Sequence, residues 1–147
     1  MIPPLAVGLV AAFLIWLTAL EAPAFRLVFP GHLAVAAALA LLGGFISISG
    51  VISFRRARTT VNPMRPNSAS ALVVSGMYRF TRNPMYLGFL LVLLGWVAVC
   101  SNALTLGWIV AFVAYMNRFQ ILPEERALAA LFGPDFFSYK TKVRRWI

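Results

Sequence analysis

The chain has 147 residues, 61% of them hydrophobic and only 12% charged, with a mean hydropathy of +0.85. A soluble domain of this size has no core large enough to hide that much apolar surface, so the composition excludes that class and predicts an integral membrane protein. The formal net charge of +9 would suit nucleic acid, but the cations flank apolar segments and no zinc-finger or helix-turn-helix pattern accompanies them, so no nucleic-acid partner is expected.

Four apolar stretches follow in chain order, residues 5–20, 33–54, 85–100 and 103–122. Hydrocarbon offers the backbone no hydrogen-bond partner, so each must satisfy its own as a helix. The predicted fold class is all-α, an integral membrane bundle of about four transmembrane helices with a cytoplasmic loop and an interfacial C-terminal helix. The first and third stretches lie near the lower limit of about 17 residues for a span. They need help from neighbours such as Ile2 and Pro84, or a locally thinned bilayer. A cleaved signal peptide competes for the first stretch, but no Lys or Arg precedes it and no clean cleavage site follows Leu20, so a retained helix is expected.

The second stretch carries Gly43, Gly44, Ser47, Ser49, Gly50 and Ser53, small residues on shared faces that invite close approach by another helix. The loop after it, residues 55–83, is rich in turn formers and has six arginines and no acid. Read plainly, that is a flexible linker. Its apolar run Ala71-Leu72-Val73-Val74 argues instead for docking on the bundle or the membrane.

Between the third and fourth stretches, Ser101-Asn102 is long enough only to reverse the chain, which predicts a tight antiparallel hairpin. After the fourth, Pro123 with Glu124 and Glu125 has the composition of a helical first turn, and Gly133-Pro134 should end that helix. Phe136, Tyr139, Val143 and Trp146 then recur every three to four residues among Lys140, Lys142, Arg144 and Arg145, as in a helix lying in the membrane interface and closing one side of the bundle. No repeat is visible, and one domain over residues 1–147 is the simplest reading.

Twelve of the 13 basic residues lie in the central loop or at and beyond the end of the fourth stretch, and only Arg26 lies on the other side. The positive-inside rule therefore makes the loop, the tail and both termini cytoplasmic. Anionic membrane lipid is the natural partner of those charges. One Cys100 and one His32 cannot build a Cys/His cluster, so no metal is expected.

The candidate site begins with the run from Val74 to Gly88, where Arg79, Arg82, Asn83 and two tyrosines meet the start of an apolar helix. Pro84 suits a first helical position, and the turn before it can offer side chains and free amides to a polar ligand. Topological anchoring explains the two arginines equally well. Glu124 and Glu125 are the only paired carboxylates, and adjacent helical positions point roughly 100° apart. One is expected to face a pocket and the other a loop arginine, although helix capping alone would also account for them.

Taken together, Leu72-Val73, Ser75-Gly76-Met77-Tyr78, Arg82-Asn83-Pro84-Met85-Tyr86-Leu87-Gly88, Glu124-Glu125-Arg126-Ala127-Leu128 and Phe132-Gly133 resemble the isoprenylcysteine carboxyl methyltransferase and phospholipid methyltransferase superfamily. The resemblance covers residues 62–146. It implies a small bacterial-type membrane enzyme of the inner membrane that uses S-adenosyl-methionine, with the cofactor held between the last helices and the cytoplasmic segments. By position it implies cofactor contacts at Asn62, Leu72, Val73, Tyr78, Arg82, Asn83, Pro84, Met85, Tyr86 and Glu124. Arg118, Gln120 and Glu125 are implied on the substrate side.

Two positions depart from the isoprenylcysteine enzymes. They carry Arg-His-Pro where this chain has Arg82-Asn83-Pro84, and their substrate-side arginine falls on Gln120, with Arg118 turned about 200° away on a helix. The implied partner is thus a hydrophobic methyl acceptor, be it an isoprenylcysteine carboxylate, a lipid-like amine or a thiol. Methyl displacement requires alignment rather than a side-chain nucleophile, and positioning alone contributes up to roughly 7–11 kcal/mol in favourable systems. Two other classes compete. A four-helix transporter would rely on Glu21, which sits at the end of a span rather than its middle, and a non-catalytic lipid-binding protein would need only the basic segments. The oligomeric state is left open by the sequence.

Overall fold

The computed structural model describes residues 2–57 and 71–147. Asn62, Arg58 and Arg65 lie outside the described residues. Helix α1 spans Pro4–Glu21, α2 His32–Arg56, α3 Pro84–Cys100, α4 Leu106–Tyr115 and α5 Leu122–Lys142, with short 3-10 turns at Pro23–Phe25, Gly76–Arg79 and Ala103–Thr105. Among the described residues there is no strand, only an isolated bridge between Arg26 and Asn102. The chain is an all-α membrane bundle. Helices α1 and α2 are long and apolar enough to cross a bilayer, α3 is a 17-residue helix without a charge, and Leu9, Phe13, Leu41 and Phe45 point outward, as lipid-facing positions require.

Helix α3 packs antiparallel along α2. Gly43 meets Gly88, Gly50 meets Pro84, and Gly95 meets Ala36 and Leu39, so rising numbers on α2 face falling numbers on α3. A Cβ at Gly88 would collide with Ser47 Oγ and the Gly43 carbonyl. The approach of the two backbones is thus set by absent side chains, as expected where lipid supplies no hydrophobic drive between helices. Gly44, by contrast, faces open space, so only one of the small-residue faces is used.

Helix α1 lies against α3 and α4. Trp96 Nε1 donates to the Ala12 carbonyl at 3.0 Å and Trp108 Nε1 to Thr18 Oγ1 at 2.9 Å. Between them lies a core of Ala11, Ile15, Tyr86, Leu93, Phe112, Met116 and Ile121. The α3–α4 hairpin is closed by Ser101-Asn102 followed by the 3-10 turn Ala103–Thr105. Ser101 takes a positive φ of 49°, Asn102 Oδ1 accepts from the Leu104 amide at 3.0 Å, and Asn102 Nδ2 donates to the Ala22 carbonyl at 2.8 Å.

The fourth apolar stretch is not one regular helix. After Tyr115 the chain widens into a π-helical turn, Met116–Ile121, and passes without a break into α5. Pro123 accounts for this, since it has no N–H to donate and its ring presses on the turn before it, which a wider i→i+5 turn accommodates. A second correction concerns the tail. As Gly133-Pro134 predicts, the regular helix is interrupted at Gly133, φ 46° and ψ −121°, where two helical segments of α5 meet at a kink; the departure is that the second segment stops at Lys142, leaving Val143 extended. Trp146 is therefore not on the predicted interfacial helix, and Phe136 and Val143 are buried against protein.

The central loop returns to the bundle where α5 ends. The Arg82 amide donates to the Arg144 carbonyl at 3.0 Å. Among the described residues, those of the basic loop and those of the basic tail therefore gather at one end of the bundle, opposite the Ser101-Asn102 turn.

Candidate functional site

At that end four segments meet: the 3-10 turn before α3, the first turn of α3, the π turn and the first turn of α5. Gly76 makes the first of these fit, because its φ of 61° and its contact with Ser53 Oγ leave no room for a Cβ. The turn then lays Tyr78 into the bundle. Its ring meets Phe54 edge-on at 5.2 Å between centroids, and its carbonyl accepts from the Tyr139 hydroxyl at 2.7 Å. Burial pushes the Tyr78 hydroxyl above its ordinary range, with Tyr139 and Glu124 adding to the effect. Burial does the same to Tyr139, against an opposing pull from Arg82.

Pro84 opens α3 and is buried. One turn in, the Tyr86 hydroxyl donates to Glu124 Oε1, joining α3 to α5. Asn83, at the helix N-cap, makes no capping bond with its side chain; its Nδ2 donates instead to the Arg145 carbonyl at 2.9 Å.

The two adjacent glutamates sit in opposite electrostatic settings. Glu125 is clasped by three cations: Arg145 donates from Nε at 3.0 Å and Nη2 at 2.8 Å, Arg82 Nη1 lies 3.0 Å from Oε1, and Lys140 Nζ lies 3.6 Å from Oε2. Burial alone would raise the Glu125 carboxyl, but the Arg145 hydrogen bonds and the charges of Arg82, Arg145 and Lys140 outweigh it and hold the group below its usual value. Glu124 has no ion-pair partner among the described residues. Burial, opposed by the Tyr86 hydrogen bond and assisted by the Glu125 charge, raises its carboxyl to about 7. A half-buried carboxylate lacking a cation is costly by itself and becomes favourable when a cationic ligand arrives.

Gln120, in the π turn, is 1% exposed and faces the Tyr86 hydroxyl; its Nε2 finds no acceptor among the described residues. Such a donor is expensive unless a ligand satisfies it, and π turns recur at functional sites. Arg118, two residues earlier, is exposed on the other side.

The site residues expected from sequence thus divide. Tyr78, Arg82, Asn83, Pro84, Tyr86, Gln120, Glu124 and Glu125 come together. Met85 packs on the apolar core, Val73 is buried and Leu72 half-buried beside the turn, and Arg118 stands apart. Arg145, Tyr139 and Thr81 were not anticipated. The available signal was charge balance: with 13 bases to 4 acids, a buried carboxylate in this chain has basic partners to find, and the tail was read only as interfacial.

The phospholipid methyltransferase family model matches residues 32–135, a span that contains α2, α3, the π turn and the glutamate pair. The chain belongs to the phospholipid methyltransferase family. That places it among membrane methyltransferases. An uncharacterized protein of Haemophilus influenzae is 43% identical over 63 residues, covering 43% of this chain and 100% of the relative. Protein-S-isoprenylcysteine O-methyltransferase B of Arabidopsis thaliana is 28% identical over 106 residues, 70% of this chain and 52% of the relative. The protein-S-isoprenylcysteine O-methyltransferase of Schizosaccharomyces pombe is 26% identical over 103 residues, 69% of this chain and 43% of the relative. The chain thus spans about half the length of these two methyltransferases. No solved structure matches it.

For S-adenosyl-methionine, the cofactor implied by the resemblance, the residues present fit. The group carries an ammonium and a sulfonium, and Glu124 is a sheltered carboxylate without a counter-charge.

Proposed function

We propose that this protein is an S-adenosyl-methionine-dependent methyltransferase of a bacterial inner membrane, acting on a hydrophobic or lipid-like acceptor, with both termini cytoplasmic. The observation that carries the reading is the contrast between Glu125, saturated with cations, and Glu124, half-buried beside it with none among the described residues. Family membership supports the reaction class. When bound, the cofactor supplies an electrophilic methyl group. Glu124 holds its cationic end, Tyr86 fixes the rotamer of Glu124, Tyr78, Pro84 and Met85 form the wall, and Asn83 and Arg82 brace the turn below. Asn62, Leu72 and Val73 are proposed at the adenosine side.

On the acceptor side we place Gln120. Arg82 and Arg145 both lie against Glu125, at 3.0 and 2.8 Å, and Arg118 faces away. An apolar acceptor reaches the site laterally between helices, and a charged cofactor reaches it from the aqueous side. The test is transfer of an isotope-labelled methyl group from S-adenosyl-methionine to native membrane extracts, with label recovered in an extractable lipid expected and no protein-dependent label counting against the reading.

A further inference from the structure

Beyond Lys142 the tail turns into an extended strap, residues 143–146, laid across the turn that starts α3. The Arg82 amide donates to the Arg144 carbonyl at 3.0 Å. Thr81 Oγ1 at 3.3 Å and Asn83 Nδ2 at 2.9 Å both donate to the Arg145 carbonyl. Trp146 Nε1 donates to Asn117 Oδ1 in the π turn at 3.1 Å. The Arg145 side chain, meanwhile, folds back onto Glu125 with two hydrogen bonds. One residue therefore ties together the turn before α3 and the first turn of α5, and its neighbour ties in the π turn. These are three of the four segments that carry the candidate site.

We infer that Arg145 is a positioning residue: through its carbonyl it sets Asn83 and through its guanidinium it sets Glu125, and so it holds the adjacent Glu124 against Tyr86 without itself bonding Glu124. This rests on the proposed function. A planar, two-pronged guanidinium–carboxylate contact fixes orientation as well as charge. Losing it frees the first turn of α5 to rotate and leaves Glu125 less neutralised, with only Arg82 and Lys140 remaining. The groups facing Glu124 are Tyr86 from α3, Tyr78 from the 3-10 turn and Glu125 from its own helix. Extra negative charge at Glu125 raises the pH at which Glu124 takes up a proton, which a mere C-terminal anchor would not do.

The experiment compares wild type, Arg145→Ala and Arg145→Lys in lipid nanodiscs by S-adenosyl-methionine titration between pH 6 and 9, alongside hydrogen exchange of the segment around residues 81–83 without ligand. Arg145→Ala is expected to lose at least about tenfold in affinity at pH 8, to shift the midpoint of the pH profile upward and to exchange faster at 81–83. Arg145→Lys should recover part of the affinity. Wild-type affinity and midpoint in Arg145→Ala, even with a lowered melting temperature, would overturn the inference. If Arg145→Ala does not fold, Arg145→Lys decides: weaker binding at unchanged melting supports the inference and wild-type binding overturns it. Failure of the wild type itself to bind would instead remove the proposed function, while unchanged exchange in a folded Arg145 variant overturns the strap whatever the ligand does.

Discussion

The Tyr86 hydroxyl donates to the Glu124 carboxylate across 38 residues of sequence, stapling the first turn of α3 to the first turn of α5. Everything else at this end of the bundle is arranged around that contact. Arg82, Arg145 and Lys140 take the neighbouring Glu125, leaving Glu124 as the carboxylate available to a cationic ligand.

Replacing Glu124 by Gln should therefore act in opposite directions on binding and on stability. A charge-assisted hydrogen bond lost from a sheltered site costs on the order of 1.5–3 kcal/mol, or about ten- to a hundredfold in S-adenosyl-methionine affinity. The ligand-free variant should melt higher than wild type at pH 8, because it no longer desolvates part of an unpaired charge. Calorimetry and thermal melting on the same preparations check both signs.

The pH dependence follows from the same group. The Glu124 carboxyl is raised from 4.5 to about 7, so the folded protein binds more protons than the unfolded chain between those values. Its ionisation thus costs stability as pH rises through that window. Ligand affinity runs the other way, since only the carboxylate attracts a cation. Between pH 8 and pH 6 affinity should fall about tenfold in wild type and stay nearly flat in Glu124→Gln, as read by titrations across the range.

Glu125→Gln should be the destabilising substitution. Burial would raise this carboxyl, but three cations hold it low, so its ionised form stabilises the fold above pH 4.5 and that contribution is lost as pH falls through the lowered folded value. Removing the charge leaves Arg82, itself 10% exposed, without its counter-ion, at a cost on the order of 3 kcal/mol. A lowered melting temperature at pH 7 that converges with wild type in acid is the expected signature.

Gly88→Ala should disrupt the α2–α3 seam, because its Cβ meets the Ser47 side chain and the Gly43 backbone and the backbone cannot yield locally. Gly44→Ala, facing open space on the same helix as Gly43, is the matched control and should melt with wild type. Circular dichroism during heating in detergent separates the two.

Much of this end of the molecule was legible in the sequence because it rests on local rules. Pro84 announces the start of α3, the spacing of Gly43, Ser47 and Gly50 announces a close helix contact, and adjacency of Glu124 and Glu125 forces different directions. The two-residue offset between Arg118 and Gln120 likewise separates an exposed residue from a buried one. What was not legible depends on contacts distant in sequence or on backbone departures. The π turn at Met116–Ile121 breaks the helical period of the fourth apolar stretch, and the stop at Lys142 takes Val143 and Trp146 off the helix that their spacing suggests. Arg145 carries no local sign that its carbonyl and side chain will meet residues 62 and 20 positions away.

The most direct measurement is calorimetric titration of the purified wild-type protein, in nanodiscs at pH 8 and demonstrably folded, with S-adenosyl-methionine and with its demethylated product. Saturable binding, abolished or strongly weakened in Glu124→Gln at matching helical content, is the expected result. Absence of binding for both ligands, or equal binding by Glu124→Gln, would contradict the assignment of Glu124 and the methyltransferase site built around it.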